Sequence, residues 1–268
     1  MYFYKLQGAG NDYIFINCFD KFIEDKSKLA IKMSDRHFGI GGDGVVFLYP
    51  SFTADVRMRM FNSDGSEGAM CGNAVRCIGR LFCDEYAKKE ISIETNSGIK
   101  NVSYDQEKDL FTVNMGKPTF TDEINKPIFA SGRQYNYTFV SMGNPHCVIF
   151  VPEVKRIRLS TMEAIQNHSF FLGDVNVEFA QVDSDGIKAR VLERGSGETL
   201  SCGTGACAVV AAGVKCGLIK PNSEINVALL GGNLTVKYSE NIYLTGKAEK
   251  VYEGDYYDKV HFCNRRSC

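Results

Sequence analysis

The sequence predicts an α+β protein built from two related halves, and three observations lead to this prediction. Short β-type segments separated by turn residues occupy most of the 268-residue chain. Only two segments have the pattern of a long helix, and each begins directly after a Cys-Gly pair. The residues around these two pairs repeat one another at a nearly constant spacing, which indicates an internal duplication.

The β-type segments are short runs of β-branched, aromatic and other apolar residues that end at turn-forming residues. In chain order they are YFYKL, YIFIN, VVFLY, VRMRMF, ISIET, LFTVNM, YTFVSM, HCVIFV, VNVEFAQV, IKARVLE, INVAL, LTVKY and IYLTG. We therefore expect a protein made mostly of strands.

The two predicted helices differ in character. The first, NAVRCIGRLFCDEYAKK, is amphipathic, and its apolar face consists of Ala74, Val75, Ile78, Leu81, Phe82 and Tyr86. The second, GACAVVAAGVKCG, is built from small residues and is apolar on nearly all sides. A helix of this second kind is expected inside a surrounding sheet.

The repeat around the Cys-Gly pairs extends to neighbouring residues. Cys71 and Cys202 lie 131 residues apart (202 − 71), and a Gly-Ser pair precedes each of them. Asn11 and Asn144, each preceded by glycine, lie 133 residues apart (144 − 11). The length suits one large domain or two of about 120 to 150 residues, and the repeat favours two.

Composition argues against several classes of protein. The 31 Lys and Arg residues nearly balance the 32 Asp and Glu residues, and no basic tract indicates nucleic-acid binding. No apolar stretch approaches the roughly 18 residues that a membrane span needs. The N-terminal segment lacks the pattern of a secretory signal. We therefore expect a cytoplasmic protein that binds neither nucleic acid nor membrane.

The ten cysteines do not form a recognisable framework. Disulfide frameworks are typical of short secreted chains, so we expect most of these thiols to be reduced. No cysteine pair has CxxC spacing, and no histidine lies at zinc-finger spacing from one, so a structural metal is not expected. Most such cysteines act as small buried hydrophobes.

Cys71 and Cys202 differ from the other cysteines because each stands at the predicted start of a helix. The positive end of the helix dipole favours a thiolate and should lower the pKa of each thiol. Glycines beside them would let a carboxylate approach the free N–H groups of both helices. The alternative is that Gly-rich turns begin two helices and a small cysteine fits there.

Two such thiols on either side of a bound carboxylate suit proton transfer at an α-carbon. One thiolate would remove the proton from one face, and the opposite thiol would return another. The helix N-termini would stabilise the negative charge that develops on the carboxylate. No electron-sink cofactor is needed for this reaction.

Two long segments, FNSDGSEGAMCGNAVRC (61–77) and ERGSGETLSCGTGACA (193–208), closely resemble the active-site signatures of the diaminopimelate epimerase family. The segments GAGNDYIF, DRHFGIGGDG, GNPHCV and NVEF also resemble that family, in the same order. The resemblance implies conversion of LL-diaminopimelate to the meso form in lysine biosynthesis, without pyridoxal phosphate or a metal. It also implies a homodimer.

The resemblance implies a fold of two pseudo-twofold related domains, each a curved, barrel-like sheet around a central helix, with the site between them. Residues 1–117 would carry Cys71, and residues 118–255 would carry Cys202. Residues 256–268 would return to the first domain.

The resemblance also implies roles for individual residues. The proximal carboxylate and amine would be held at Gly72, Asn73, Gly203 and Thr204. The distal end would be gripped by Asn11, Asn62, Asn144, Asn176 and Arg194, which supply a guanidinium for a carboxylate and amide oxygens for an ammonium. His146 and Glu193 would tune the protonation of the thiols, and Glu193 also belongs to the substrate-binding set.

Several of these residues also have a purely structural interpretation. Asn11 and Asn62 suit ordinary turns, His146 suits a structural role, and Glu193 with Arg194 suits a solvated ion pair. One position departs from the family, because Gly44 stands where many members have a glutamine that contributes to the site.

Two alternative functions remain open at this point. A proline or hydroxyproline racemase of the same fold also presents paired cysteines, but its substrate has no distal zwitterion to pair with an arginine and several asparagines. A non-catalytic amino-acid-binding or thiol redox protein would not exchange the α-proton of a ligand with solvent.

Overall fold

The computed structural model describes residues 1–120 and 124–257 and confirms the predicted α+β fold class. The first half contains β1 (Tyr2–Gly8), β2 (Asn11–Asn17), α1 (Lys26–Ser34), β3 (Gly44–Tyr49), β4 (Val56–Asn62), β5 (Glu67–Gly68), α2 (Gly72–Tyr86), β6 (Glu90–Thr95), β7 (Gly98–Asp105), β8 (Leu110–Gly116) and β9 (Thr119–Phe120).

The second half repeats this order and adds a strand at its start, β10, and a short 3₁₀ helix at Val154–Arg156. It contains β10 (Lys126–Ala130), β11 (Arg133–Ser141), β12 (Pro145–Phe150), α3 (Leu159–Gln166), β13 (Asn176–Asp183), β14 (Gly186–Glu193), β15 (Gly197–Glu198), α4 (Gly203–Lys215), β16 (Glu224–Leu229), β17 (Gly232–Tyr238), β18 (Ile242–Gly246) and β19 (Glu249–Asp255).

The duplication that the sequence indicates is present in the strand pairings. In the first half β2 pairs with β3 in parallel, β3 with β4 antiparallel, and β4 with β6 in parallel across α2. In the second half β12, β13, β14 and β16 repeat this series across α4. Each Cys-Gly pair therefore occupies the same place in its half.

A pseudo-twofold axis passes between the antiparallel strands β8 and β18. Val113 lies opposite Leu244 in this pair, and the two are 131 residues apart (244 − 113), the same spacing as Cys71 and Cys202. The halves also exchange their last strands, because β9 pairs with β11 and β19 pairs with β1. Both exchanges join the halves into one hydrogen-bonded structure.

Helices α2 and α4 lie inside the sheets, as predicted. Five of the six apolar residues predicted on the face of α2 are buried, whereas Tyr86 is 54% exposed. Tyr86 is the last residue of the helix, and Ala87 beyond it has a left-handed conformation that turns the chain away. Helix α4 is buried without interruption over residues 203–213.

Helices α1 and α3 have no counterpart among the predicted elements. Each connects two parallel strands, β2 to β3 and β12 to β13, which a tight hairpin turn cannot join. Both are short, and helices of this length depend more on packing than on their local sequence. Within the described residues, no helix is long and apolar enough to cross a membrane.

The last strand of the described chain pairs with the first half. Strand β19 pairs with β1 from Glu249 onward, and the Tyr256 N–H donates to the Met1 carbonyl at 2.8 Å. Residues 258–268, which were also expected to return there, lie outside the described residues. The division at residues 117 and 255 stays a prediction.

Candidate active site

The N-termini of α2 and α4 meet near the pseudo-twofold axis, and Cys71 and Cys202 are their N-cap residues. A Cβ added to Gly203 would lie 3.7 Å from the Cα of Gly72. A Cβ on either glycine would also lie 3.0 Å from the Leu244 Cδ2, so side chains there would displace Leu244. The first turns of both helices therefore present their free N–H groups to one space.

A cavity of about 740 Å³ opens where these helices meet. It is lined by both cysteines and by the predicted substrate-binding residues Asn11, Asn62, Gly72, Asn73, Asn144, Asn176, Glu193, Arg194, Gly203 and Thr204. Residues from both halves form its wall. His146 does not reach the wall and is fully buried behind it.

The half-buried Cys71 forms its hydrogen bonds with neutral polar groups. Its thiol donates to the Asn11 Oδ1 at 3.4 Å, and the Asn73 Nδ2 donates to the same oxygen at 3.1 Å. Asn73 also donates to the Ser201 carbonyl at 3.3 Å, which links α2 to the segment before α4. The Tyr13 side chain hydrogen-bonds Cys71 as well.

Cys202 is 5% exposed and is the more enclosed of the two thiols. The Gly205 N–H donates to its sulfur at 3.3 Å, as the N-cap position predicts. Glu193 hydrogen-bonds Cys202, and the Glu193 Oε1 accepts from the Thr199 Oγ1 at 2.6 Å. The carboxyl group of Glu193 is therefore a neighbour of Cys202.

The prediction that both thiols have lowered pKa values is wrong. Burial is the largest effect on each and raises the pKa of Cys71 and, further, that of Cys202. Glu193 raises both values, and Glu178 adds to the effect at Cys202. The backbone N–H groups do lower the values, as expected at helix N-termini, but burial outweighs them.

His146 and Glu178 form a buried pair behind Cys202. The His146 Nδ1 lies 2.6 Å from the Glu178 Oε1, and its Nε2 lies 3.1 Å from the Asn144 Oδ1. Asn144 in turn donates to the Thr204 Oγ1 at 3.3 Å. The His146 side chain thus hydrogen-bonds the cavity wall at Asn144.

Glu178 is a site residue that the sequence reasoning did not select, although NVEF was among the family-like segments. It is fully buried, and its Oε2 has no hydrogen-bond partner within the described chain. Burying an unpaired carboxylate costs free energy. A glutamate inside an otherwise apolar strand segment is therefore a sequence signal for a buried, paired carboxylate.

Arg194 brings a positive charge to the wall of the cavity. Its guanidinium is half-exposed and contacts the exposed Asp174, while its backbone N–H donates to the Asn176 Oδ1 at 2.9 Å. Asn176 donates to the Pro145 carbonyl at 3.0 Å, and Asn62 donates to the Ser66 Oγ at 3.0 Å. These contacts fix the two asparagines in the cavity wall.

Gly44 leaves the site without the glutamine that many family members have. A Cβ on Gly44 would lie 2.3 Å from the Phe61 carbonyl oxygen and 3.1 Å from the Tyr13 Cε1. The backbone of β4 therefore occupies the space that a side chain would need. In the described residues, no cluster of three or more His, Cys, Asp or Glu side chains could hold a metal ion.

Solved structures share this fold. A phenazine biosynthesis protein of the PhzF family from Bacillus anthracis is 17% identical, with a TM-score of 0.72 over 96% of this chain and 99% of that one. A hydroxyproline epimerase from Agrobacterium vitis is 16% identical, with a TM-score of 0.71 over 95% of this chain and 90% of that one. Fold and site together define a protein of epimerase-like fold with two cysteines at facing helix N-termini.

The sequence comparison is more specific. The family model described as diaminopimelate epimerase matches residues 3–121 and 138–251. A diaminopimelate epimerase from Acetivibrio thermocellus is 45% identical over 95% of this chain and 98% of its own length. The chain belongs to the diaminopimelate epimerase family, which confirms the resemblance seen in its motifs.

Proposed function

We propose that the protein interconverts LL- and meso-diaminopimelate, with Cys71 and Cys202 acting on opposite faces of one α-carbon. The observation that carries this proposal is that both cysteines cap helices whose first turns meet at one cavity. Membership of the diaminopimelate epimerase family over nearly the whole chain supports the substrate and a place in lysine biosynthesis.

In this reaction a thiolate takes the α-proton, and the electron pair of the broken C–H bond passes into the α-carboxylate. The thiol on the opposite face then gives its proton to the carbon, so configuration inverts and one thiolate replaces the other. The N–H groups of both first turns stabilise the charge that develops on the carboxylate. A thiol with a raised pKa is the stronger base once ionised, which suits a weakly acidic C–H bond.

Glu193 is the group placed to take the proton of Cys202 in the direction in which Cys202 acts as the base. It hydrogen-bonds that thiol, and burial raises the pKa of Glu193, which makes its carboxylate a stronger base than an exposed one. His146 and Glu178 act from behind by holding Asn144 and adding negative charge near Cys202. All three are therefore proposed to tune Cys202.

The family resemblance also supports a homodimer in the cytoplasm, and both belong to this proposal. Light scattering coupled to size-exclusion chromatography measures the assembly. A mass of twice the 29.8 kDa chain is expected, and a monomer that is fully active would contradict the dimer.

Solvent deuterium exchange tests the function directly. With LL-diaminopimelate in D₂O, we expect deuterium at one α-carbon and formation of the meso isomer, measured by NMR and chiral chromatography. The double variant Cys71→Ala with Cys202→Ala is the control and should exchange nothing. Exchange into proline or hydroxyproline but not diaminopimelate would indicate the racemase alternative, and no exchange at all would indicate a binding protein.

Arg194→Lys should raise the KM for diaminopimelate by about 10- to 100-fold, because an ammonium cannot reproduce a bidentate grip on the distal carboxylate. That factor corresponds to a loss of about 1.5–3 kcal/mol of binding. The kcat should change little, since the cysteines are untouched. Arg156→Lys is the matched control, because Arg156 is exposed and pairs with Glu153 outside the cavity. An unchanged KM would show that Arg194 does not bind the distal carboxylate.

A further inference from the structure

Arg76 is a fully buried arginine on α2, one turn behind the start of the helix. Its guanidinium donates to the Asn73 Oδ1 at 2.7 Å, to the Lys247 carbonyl at 3.4 Å and to the Gly72 carbonyl at 3.5 Å. None of these partners is charged, and within the described chain Arg76 forms no ion pair with a carboxylate. Burying a cation without a paired anion costs free energy, so the presence of Arg76 at this position needs an explanation.

The protein is built closely around this guanidinium. A Cβ on Gly8 would lie 3.1 Å from the Arg76 Nη2, and a Cβ on Gly246 would lie 3.3 Å from its Nε. Strands β1 and β18 can approach the guanidinium because both positions are glycine. The charge is therefore held in one place beneath the helix N-termini.

The acidic groups whose charges act on Arg76 are three thiols, those of Cys71, Cys77 and Cys207. Burial raises the pKa values of Cys77 and Cys207 to about 12, so both remain neutral at physiological pH. Cys71 is the thiol of the three that lines the cavity. It is also the one that ionises in the proposed reaction.

We infer that Arg76 is the counter-charge of the Cys71 side of the site: it holds Asn73 in place and stabilises negative charge at the start of α2. That charge is the Cys71 thiolate and the substrate carboxylate, so the inference rests on the proposed function. Arg76 is a positioning residue, because Asn73 lies on the cavity wall and Arg76 does not.

In the described part of the second half, a neutral thiol stands at the position equivalent to Arg76. The 131-residue spacing places Cys207 at the position of Arg76 (207 − 76), and two carboxylates, Glu193 and Glu178, act on Cys202 instead. Glu193 acts on both thiols, so the two sides of the site differ in Arg76 behind Cys71 and in Glu178 near Cys202. This asymmetry favours a thiolate at Cys71 and a thiol at Cys202.

Two variants distinguish the contribution of the Arg76 charge from that of its hydrogen bonds. Arg76→Gln keeps a donor for Asn73 but removes the charge, and Arg76→Lys keeps the charge. Arg80→Gln is the matched control, because Arg80 lies one turn further along α2 and pairs with Asp84 and Asp109. Each variant is measured for kcat/KM and for the pH dependence of Cys71 alkylation by iodoacetamide, followed by peptide mass spectrometry.

Arg76→Gln should lower kcat/KM by about 100-fold, the order found when one preorganised electrostatic contact is lost. The alkylation midpoint of Cys71 should rise by about one pH unit, because the thiolate loses its counter-charge. Arg76→Lys should keep the wild-type midpoint, and Arg80→Gln should match wild type in both measurements. The other titratable groups acting on Cys71, Tyr13 on β2 and Glu193 on β14, are unchanged in every variant.

An unchanged alkylation midpoint in folded Arg76→Gln would overturn the inference, whatever its kcat/KM. If Arg76→Gln does not fold, Arg76→Lys decides, since a raised midpoint despite the retained charge would overturn it. Alkylation does not depend on turnover, so a shifted midpoint in an enzyme that fails to exchange diaminopimelate would reject the proposed function alone.

Discussion

Replacing either Cys71 or Cys202 with alanine should abolish epimerisation, with kcat falling by at least about 10²–10⁴, the range supplied by a positioned acid or base. Each face of the α-carbon needs its own proton carrier, and no other thiol lines the described part of the cavity. A single remaining cysteine can remove a proton but cannot return one to the opposite face. Chiral chromatography of the products from LL-diaminopimelate measures the loss.

The fold should survive both replacements. Cys71 caps α2 without a side-chain hydrogen bond, and Cys202 accepts one from the Gly205 N–H, so losing that cap costs about 1 kcal/mol at most. Cys207→Ala is the matched control, because Cys207 is a buried thiol one turn along α4. Turnover within about tenfold of wild type in either active-site variant would contradict the two-base assignment.

Much of this architecture can be predicted from sequence because its signals are local. Runs of β-branched and aromatic residues mark the central strands, and small residues mark α4 as an enclosed helix. Strands β7, β10 and β19 were not predicted, nor were the two-residue strands β5, β9 and β15; β7, β10 and β19 are largely exposed, and β7 and β19 have mostly polar sequences. Strand β19 depends on pairing with the distant β1, whereas β7 and β10 pair with their neighbours along the chain but lack a clear apolar face.

The composition of the site could be predicted, but its electrostatics could not. The Cys-Gly pairs and the family motifs indicate which residues surround the cavity. Whether a thiol at a helix start has a high or a low pKa depends on burial and on carboxylates from other strands. Glu193 arrives from β14 and Glu178 from β13, and neither adjoins a cysteine in sequence. The role of the buried Arg76 could not be predicted either, because it depends on which groups from other elements surround its guanidinium.

Oxidation should join Cys71 to Cys202 and inactivate the protein reversibly. Two thiols that serve opposite faces of one small α-carbon must lie close together, and the glycines that follow them are almost in contact. A disulfide needs Cα atoms within about 4.4–6.8 Å, so a modest approach of the two helix starts allows one. Thiol reductant should restore activity, and bound diaminopimelate, which separates the sulfurs, should protect it.

The pH dependence of this inactivation follows from the direction of the pKa shifts. Thiolate is the form that oxidises, and burial raises the pKa of both thiols, so inactivation by a mild oxidant should be slow at neutral pH and accelerate as the pH rises above about 8.5, the value of a free thiol. Peptide mapping of the inactive protein should show a dominant link between Cys71 and Cys202. Cys83→Ala, which removes a half-buried thiol outside the cavity, should inactivate like wild type. The opposite result would be an inactive protein whose links join only other cysteines, with Cys71 and Cys202 both free. Inactivation would then have left both active-site thiols unmodified, which contradicts the prediction that they face each other.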